Sequence, residues 1–229
     1  MTLTLPKAIL FDLDGTLADT APDLASAVNR MRLDRGLPLV DYAILRPQAS
    51  AGAPGLLNAG FQITPEDANF PAMREELLNN YAKNIADDSH LFEQIPDLLQ
   101  DLENRGIIWG IVTNKPMRFT DALLPLIDLG HAACAISGDT TAYAKPHPLP
   151  LLTACDQIQV QPHECWYVGD DLRDIQAGQA AGMKTIAAAW GYCGNAEPLH
   201  WNADLILQHP SDLLKLVQEI YTALPPKTN

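Results

Sequence analysis

The sequence has little positive charge, few cysteines and no long hydrophobic run, and each shortage excludes a class of function. Its 229 residues include 15 Lys and Arg against 28 Asp and Glu, which gives a formal net charge of −13. Clusters of Lys and Arg bind nucleic acids and anionic membranes, so this balance argues against both as partners. No apolar run approaches the roughly 18 residues that span a bilayer, and the first residues do not follow a signal-peptide pattern.

The four cysteines are too scattered to indicate a disulfide framework or a metal motif. They are Cys134, Cys155, Cys165 and Cys193, and no two of them form a C-x-x-C pair. A zinc site built from them would need an unusual geometry, since zinc motifs place pairs of ligands close in sequence. We therefore expect a reduced, cytoplasmic protein, with monomer and homodimer both left open.

The chain is long enough for one large domain or two modest ones. At about 150 residues per domain, its length corresponds to roughly 1.5 domains. Hydrophobic residues make up 47% of the sequence, which is enough to bury a core. The chain is therefore expected to be globular rather than disordered.

Six short apolar runs alternate with helical patterns along most of the chain. Each run is nearly continuous in apolar residues, which is typical of parallel strands covered on both faces. The runs are Lys7–Phe11, Ile107–Val112, Cys134–Ser137, Cys165–Val168, Thr185–Ala189 and Leu205–Leu207. Strands that alternate with helices predict an α/β fold with a parallel sheet.

Residues 18–89 interrupt this alternation, because they carry helical patterns and no convincing strand. A capping box formed by Thr20 and Asp23 would open the first of these helices. We predict an α/β core formed by residues 1–17 and 90–229, with residues 18–89 inserted as a helical subdomain. The alternative is that these helices simply cover the sheet.

Two carboxylates directly follow the first predicted strand. Asp12 and Asp14 belong to a D-x-D-G-T motif, and ligands of open α/β folds bind outside the carboxyl ends of strands. Two carboxylates so near to each other need a cation or a shared proton. The motif therefore predicts a charged site, although an ordinary acidic turn would have the same residues.

Further polar residues follow the second strand and a later loop. Thr113, Asn114 and Lys115 offer a hydroxyl, an amide and backbone N–H groups, which suit a phosphate cradle or a helix N-cap. Lys145 stands in a segment stiffened by two prolines. It would either neutralise a carboxylate and a phosphate together or lie on the surface.

A second acidic group follows the strand Cys165–Val168. Asp170, Asp171 and Asp174 stand at the end of this strand and in the first turn of a helix. N-capping and the helix dipole explain one or two of these acids. Carboxylates from two strand ends are the ligands that Mg²⁺ prefers, so the motifs together predict Mg²⁺-dependent phosphoryl transfer.

These motifs, in this order, resemble the haloacid dehalogenase superfamily and, within it, the phosphoglycolate-phosphatase-like branch. The resemblance covers nearly the whole chain and implies a Rossmann-like core with a helical cap inserted after the first motif. It implies that Asp12 is a nucleophile that becomes an aspartyl-phosphate and that Asp14 is the general acid and base. Thr113 and Asn114 would hold the phosphate, and Lys145 would steady the nucleophile and phosphate.

The same resemblance implies a Mg²⁺ site. The Asp12 carboxylate, the Asp14 backbone carbonyl and Asp170 would be its ligands. Asp171 stands where many relatives have serine, so it could be a metal ligand or lie just outside the metal site. Asp174 would orient its loop or the nearby lysine rather than bind metal.

Further segments resemble bacterial phosphatases of this branch that act on N-acetylmuramic acid 6-phosphate. The segments are Thr113–Phe119, Gly169–Ile175, Trp190–Tyr192 and Ser50–Ala53. Cap loops choose substrates in this family, so the expected substrate-binding residues are Asn114, Lys115, Arg118, Ser50 and Gly52. Arg118 could instead form a surface salt bridge, and the Trp190–Tyr192 segment could either line a pocket or pack the sheet edge.

The leading hypothesis is a Mg²⁺-dependent hydrolase of a small phosphate monoester. The resemblance favours N-acetylmuramic acid 6-phosphate as substrate, followed by 2-phosphoglycolate. A sugar-phosphate mutase shares the core chemistry, and a non-catalytic interaction protein could keep the fold. Dehalogenation does not require the acid that Asp14 supplies, and phosphonate cleavage needs a cap lysine, for which only Lys83 is available.

Overall fold

A computed structural model describes residues 4–194 and 197–223, so both ends of the predicted core lie outside the described residues. The strands in chain order are β1 Ala8–Phe11, β2 Ala18–Asp19, β3 His90–Leu91, β4 Ile108–Val112, β5 Ala135–Ile136, β6 Cys165–Gly169, β7 Lys184–Ala188 and β8 Leu205–Leu207. The helices are α1 Ala21–Leu33, α2 Tyr42–Leu45, α3 Gly52–Phe61, α4 Phe70–Lys83, α5 Ile95–Asn104, α6 Met117–Leu123, α7 Leu149–Ile158, α8 Leu172–Ala181 and α9 Pro210–Thr222.

Six strands of the described chain form one sheet in the order β5-β4-β1-β6-β7-β8. Every neighbouring pair in this sheet is parallel. All six predicted apolar runs are strands of this sheet, with ends that differ by no more than one residue. The predicted α/β fold class is therefore confirmed.

Strand β1 lies at the centre of the sheet, and all four of its residues are fully buried. Its last residue, Phe11, is level with Ile111 of β4 and Val168 of β6. Because these three strands are parallel neighbours, the residues that follow them emerge at the same edge of the sheet. That edge carries the D-x-D-G-T, T-N-K and G-D-D motifs.

Helices α1 to α4 lie between the short strands β2 and β3, and α1 packs against α3 and α4. β2 and β3 pair antiparallel, with Ala18 opposite Leu91 and Asp19 opposite His90. This ribbon joins the start and end of the helical segment, and the sequence did not reveal it because two-residue strands have no periodicity. The division into a core and a cap at residues 18 and 89 stays a prediction.

The predicted capping box at α1 is wrong, although the helix begins directly after Thr20. The Thr20 hydroxyl makes no capping bond and instead donates a short hydrogen bond to Asp14 Oδ1. The Asp23 carboxylate accepts hydrogen bonds from the backbone N–H groups of Asp88, at 3.1 Å, and Ser89, at 2.8 Å. Thr20 therefore connects the helical segment to the D-x-D-G-T loop, and Asp23 ties α1 to the end of the same segment.

The four cysteines are free thiols, and the Sγ atoms of Cys155 and Cys165 lie 3.7 Å apart. Cys134 packs in the same buried cluster beneath the sheet. These three side chains therefore act as small apolar groups in the core. No helix among residues 4–194 and 197–223 is long and apolar enough to cross a membrane.

Candidate active site

A cavity of about 260 Å³ lies between the strand ends and the helical segment. Most of the predicted site residues line it. They are Asp12, Asp14, Ser50, Gly52, Thr113, Asn114, Lys115, Lys145, Asp171 and Asp174. Asp170 is buried directly beside this cavity, because Ser50 Oγ lies 3.5 Å from its Oδ2. Residues as far apart in the sequence as Asp12 and Asp174 are thus gathered at one edge of the sheet.

Three buried carboxylates form a cluster at this edge. Oxygen atoms of Asp12, Asp170 and Asp174 all lie within 4.8 Å of one another. Burial raises the pKa of Asp12 to about 7, against the opposing effect of Lys145. Burial, and then the neighbouring Asp12 charge, raises the pKa of Asp170 well above its ordinary value. A cluster of hard oxygen donors whose charges repel one another fits a divalent cation such as Mg²⁺.

Lys145 bridges two members of this cluster. Its Nζ lies 2.6 Å from Asp174 Oδ1 and 2.9 Å from Asp12 Oδ1. It also lies 2.9 Å from the Val112 carbonyl oxygen and 2.8 Å from the Tyr167 hydroxyl. Burial opposes the charge, but Asp12 and Asp174 outweigh it and raise the pKa of Lys145. The surface alternative for Lys145 is therefore wrong.

Asn114 fixes the loop that carries Lys145. Its amide nitrogen donates to the Lys145 carbonyl oxygen at 3.0 Å, and its amide oxygen accepts from the Lys145 N–H at 3.0 Å. Both polar atoms of the side chain are thus directed at the backbone of Lys145. The expected contact between Asn114 and phosphate stays a prediction.

Asp170 is held by groups from two other loops. Thr16 Oγ1 donates to its Oδ1 at 3.0 Å, and the Tyr192 N–H donates to its Oδ2 at 2.8 Å. Gly15 approaches so closely that a Cβ atom there would lie 2.2 Å from Asp170 Oδ2. Its φ of +85° also favours glycine. The glycine of the D-x-D-G-T motif therefore makes room for the carboxylate of the second acidic motif.

Asp14 is paired with Lys115 and Thr20. Lys115 Nζ lies 2.8 Å from Asp14 Oδ1, the same oxygen that accepts the Thr20 hydroxyl. The ring of Tyr81 from α4 packs over Lys115, with its centroid 4.7 Å from Nζ. Burial opposes the charge of Lys115, but Asp14 and Tyr81 together outweigh it and raise the pKa of that lysine. The structure therefore places Lys115 beside the second carboxylate, and its expected contact with phosphate stays a prediction.

Asp171 and Asp174 cap helix α8 reciprocally. The Asp171 side chain accepts from the Arg173 N–H at 2.9 Å, and Asp174 Oδ2 accepts from the Asp171 N–H at 3.0 Å. Asp171 Oδ1 also pairs with Arg173 Nε at 2.8 Å. The same guanidinium donates to the Ser50 carbonyl oxygen at 2.5 Å. Asp171 thus orients the contact between Arg173 and Ser50 and does not belong to the buried carboxylate cluster.

Three predicted residues lie away from the cavity lining. Arg118 NH1 lies 3.8 Å from Glu75 Oε1, and both side chains are about half exposed. Trp190 Nε1 donates to the Thr16 carbonyl oxygen at 3.0 Å, and the buried Tyr192 packs in the core. Arg118 therefore forms the surface ion pair that was the alternative for it, and the two aromatic residues pack against the strand-end loops.

The helical segment contributes lining residues that the sequence pattern did not identify. Arg74 and Tyr81 of α4 face the cavity, and Arg173 of α8 contacts the helical segment at the Ser50 carbonyl oxygen. Helical periodicity marks a buried face but does not say what that face meets. Arg74 and Tyr81 are seven residues apart on α4, and this spacing is the one sequence signal that places them on a common face.

A family model described as haloacid dehalogenase-like hydrolase matches residues 9–188. The chain belongs to this family. A phosphoglycolate phosphatase from Xanthomonas campestris is 45% identical over 213 residues, which cover 92% of this chain and 96% of that protein. An N-acetylmuramic acid 6-phosphate phosphatase from Pseudomonas putida is 40% identical over 213 residues, with the same coverage.

The fold of this haloacid dehalogenase-like hydrolase also matches a solved structure. The crystal structure of a predicted phosphoglycolate phosphatase from Haemophilus somnus has a TM-score of 0.83 and 28% identity, covering 95% of this chain and all of that one. The family resemblance and the Rossmann-like core expected from the motifs are confirmed, and the enzyme is a phosphatase.

Proposed function

We propose that this phosphatase hydrolyses a small phosphate monoester through an aspartyl-phosphate on Asp12, with Mg²⁺ as its metal. The observation that carries the proposal is the contact of Asp12 with Lys145 inside the buried carboxylate cluster. A carboxylate attacks phosphorus only where positive charge neutralises the phosphate, and Lys145 supplies such charge at the attacking group.

In the first step, an Asp12 carboxylate oxygen bonds to phosphorus, and the ester oxygen leaves with its electron pair. Asp14 donates a proton to that oxygen, so the oxygen leaves as the hydroxyl group of the product. Thr113 Oγ1 accepts from the Lys115 N–H at 3.1 Å, which leaves its own proton free to bind the transferring phosphate.

In the second step, water attacks phosphorus and breaks its bond to Asp12. Asp14 takes the proton from the water and regains the form it had at the start. Lys115 and Thr20 both engage Asp14 Oδ1, so among the described contacts Oδ2 is free to exchange this proton. The two residues would thus fix the acid without blocking its reactive oxygen.

The metal would be held by the Asp12 and Asp170 carboxylates and the Asp14 backbone carbonyl. Asp174 is less available, because it already contacts Lys145 and the Asp171 N–H. When bound, Mg²⁺ neutralises phosphate charge and orients the transferring group. Thr16 and the Tyr192 N–H would hold Asp170 in the ligand position.

The proposed substrate is N-acetylmuramic acid 6-phosphate, which would place the enzyme in cytoplasmic cell-wall recycling. Two observations support it: the relative from Pseudomonas putida carries that name, and Ser50 and Gly52 of the cap loop line the cavity. The second candidate is 2-phosphoglycolate, which the name of the 45% identical Xanthomonas relative supports.

A substrate panel with Mg²⁺ tests the proposal. Phosphate release would be measured from N-acetylmuramic acid 6-phosphate, 2-phosphoglycolate and several hexose phosphates, with the wild type and Asp12→Asn. We expect the highest kcat/KM for N-acetylmuramic acid 6-phosphate and a loss of several orders of magnitude in Asp12→Asn. Equal rates in both proteins would exclude Asp12 as the nucleophile, and a preference for 2-phosphoglycolate would select the second substrate.

A further inference from the structure

Four cationic side chains line the cavity, and one of them has no anionic partner. Lys115, Lys145 and Arg173 each lie 2.6–2.9 Å from a carboxylate of the core. Arg74 of α4 lines the same cavity but makes no ion pair or hydrogen bond with any group that the structure describes. Its positive charge is therefore available to a ligand.

Arg74 belongs to a face of α4 that is directed at the cavity. Arg74, Leu78 and Tyr81 are spaced four and three residues apart, which aligns them on one side of the helix, and all three line the cavity. Leu78 and Tyr81 are buried, whereas Arg74 is exposed at the cavity mouth. The face thus has an apolar middle between two polar ends.

Tyr81 places a second polar group on this face. The side chain is only 1% exposed, and its hydroxyl makes no hydrogen bond of ordinary geometry among the described residues, although it interacts with the Lys115 ammonium. Burial raises the pKa of Tyr81, so the hydroxyl keeps its proton and can donate it in a hydrogen bond. In the cavity wall, this hydroxyl is a donor that a ligand atom or an ordered water can accept.

The length of α4 separates Arg74 from the phosphate site. Arg74 and Tyr81 are seven positions apart, which corresponds to about 10 Å along the helix axis. Tyr81 packs over Lys115 beside Asp14, so it marks the inner, phosphate-binding end. Arg74 therefore faces the part of a substrate that leaves after the phosphate is transferred.

We propose that Arg74 is a specificity-determining residue that binds a carboxylate on the leaving group of the substrate. The proposal rests on the phosphatase function proposed above and narrows its substrate class to phosphate monoesters with a second, carboxylate anion. A guanidinium suits this task because its planar donors match the two oxygens of a carboxylate. The apolar Leu78 would cover the carbon skeleton between the two anions.

Matched substrate pairs test the proposal. N-acetylmuramic acid 6-phosphate and N-acetylglucosamine 6-phosphate differ by the lactyl ether that carries the carboxylate. The pair of 2-phosphoglycolate and ethyl phosphate provides the same comparison for the second candidate substrate. KM and kcat would be measured for the wild type, Arg74→Met, Arg74→Lys and the control Lys83→Met, with thermal melting as a check on folding.

We expect Arg74→Met to raise KM for the carboxylate-bearing ester by about 10- to 100-fold, because a charge-assisted hydrogen bond is lost. KM for the ester without a carboxylate should stay within about twofold, and Arg74→Lys should recover part of the difference. Lys83 is exposed on the same helix and does not line the cavity. Its replacement should leave both substrates unaffected.

The outcomes separate this inference from the proposed function. If Arg74→Met raises KM equally for both members of a pair, or raises it for neither, the carboxylate role of Arg74 is overturned while the phosphatase function stands. If the wild type hydrolyses none of the four esters, the proposed function fails and the inference fails with it. The inference is supported if the difference in KM between the two members of a pair is lost in Arg74→Met and kept in Lys83→Met.

Discussion

Lys115 Nζ lies 2.8 Å from Asp14 Oδ1, and the aromatic ring of Tyr81 closes over this pair from the helical segment. The contact fixes the carboxylate that the proposed mechanism uses as its proton donor. A residue of the helical segment thus packs on the lysine that orients an acid at the end of strand β1. Lys115 is therefore a positioning residue, and its replacement should affect proton transfer more than substrate binding.

Lys115→Met should lower kcat by about 10- to 100-fold, since general acid–base catalysis contributes roughly that much or more. The loss should be smaller for 4-nitrophenyl phosphate, whose leaving group needs little protonation, than for an alkyl phosphate. Steady-state kinetics with both esters would measure the difference. Equal losses for the two leaving groups would contradict a role through Asp14.

Lys145 should matter for stability as well as for activity, because it is the buried countercharge of Asp12 and Asp174. Removing one member of a buried ion pair leaves an unpaired charge, so Lys145→Met should lower the free energy of unfolding by about 3 kcal/mol in EDTA. Urea unfolding would measure this change.

The matched control is Lys7→Met, which removes a surface ion pair. Lys7 Nζ lies 2.7 Å from Glu164, but 67% of the Lys7 side chain is exposed. Exposed pairs contribute less than about 1 kcal/mol, so this variant should unfold almost as the wild type does. Similar decreases in the free energy of unfolding in both variants would show that Lys145 stabilises the protein no more than a lysine of an exposed ion pair does.

Gly15→Ala should abolish activity because the new methyl group would displace Asp170. The added Cβ would lie 2.2 Å from Asp170 Oδ2 at a residue with φ of +85°. Gly182→Ala provides a control with the same backbone strain, since its φ is +78° and nothing lies within 4 Å of the added Cβ.

Gly182→Ala should therefore cost about 1 kcal/mol of stability and retain full turnover. Phosphatase assays and urea unfolding on both variants would measure the contrast. Full activity in Gly15→Ala would show that Asp170 can move without loss of function.

The sequence predicts the strand ends well because parallel topology makes their positions almost obligatory. Asp12, Thr113 and Asp170 each follow an apolar run, and three parallel neighbours must end at the same edge. Strand order and direction are enough to place these residues, without side-chain geometry. The sequence therefore identifies where the site lies, together with most of the residues that line it.

The partners of individual side chains are less predictable, because loop geometry decides them. Asn114 bonds the backbone of Lys145, 31 positions away, and no local pattern indicates this contact. Thr20 has the position of an N-cap but donates to Asp14 instead. Arg74 carries no motif at all, and only the packing of α4 brings it to the cavity.

Metal binding should stabilise the protein, since Asp12, Asp170 and Asp174 repel one another in the buried cluster. EDTA should abolish activity, and Mg²⁺ should restore it and raise the Tm. Asp170→Asn is the control variant, and it should lose most of the rise in Tm. A rise that persists in Asp170→Asn would contradict the assignment of this residue as a ligand.

The rise in Tm should also depend on pH. In the metal-free protein the pKa of Asp12 is raised from 3.8 to about 7, so the folded state binds a proton that the unfolded state has released. The free energy of unfolding without metal should therefore fall as the pH rises through this range. Below about pH 7 the proton competes with the metal, so the rise in Tm caused by Mg²⁺ should be larger at pH 8 than at pH 6. Thermal melts with and without Mg²⁺ at the two pH values would measure this, and an equal rise at both would contradict Asp12 as a metal ligand.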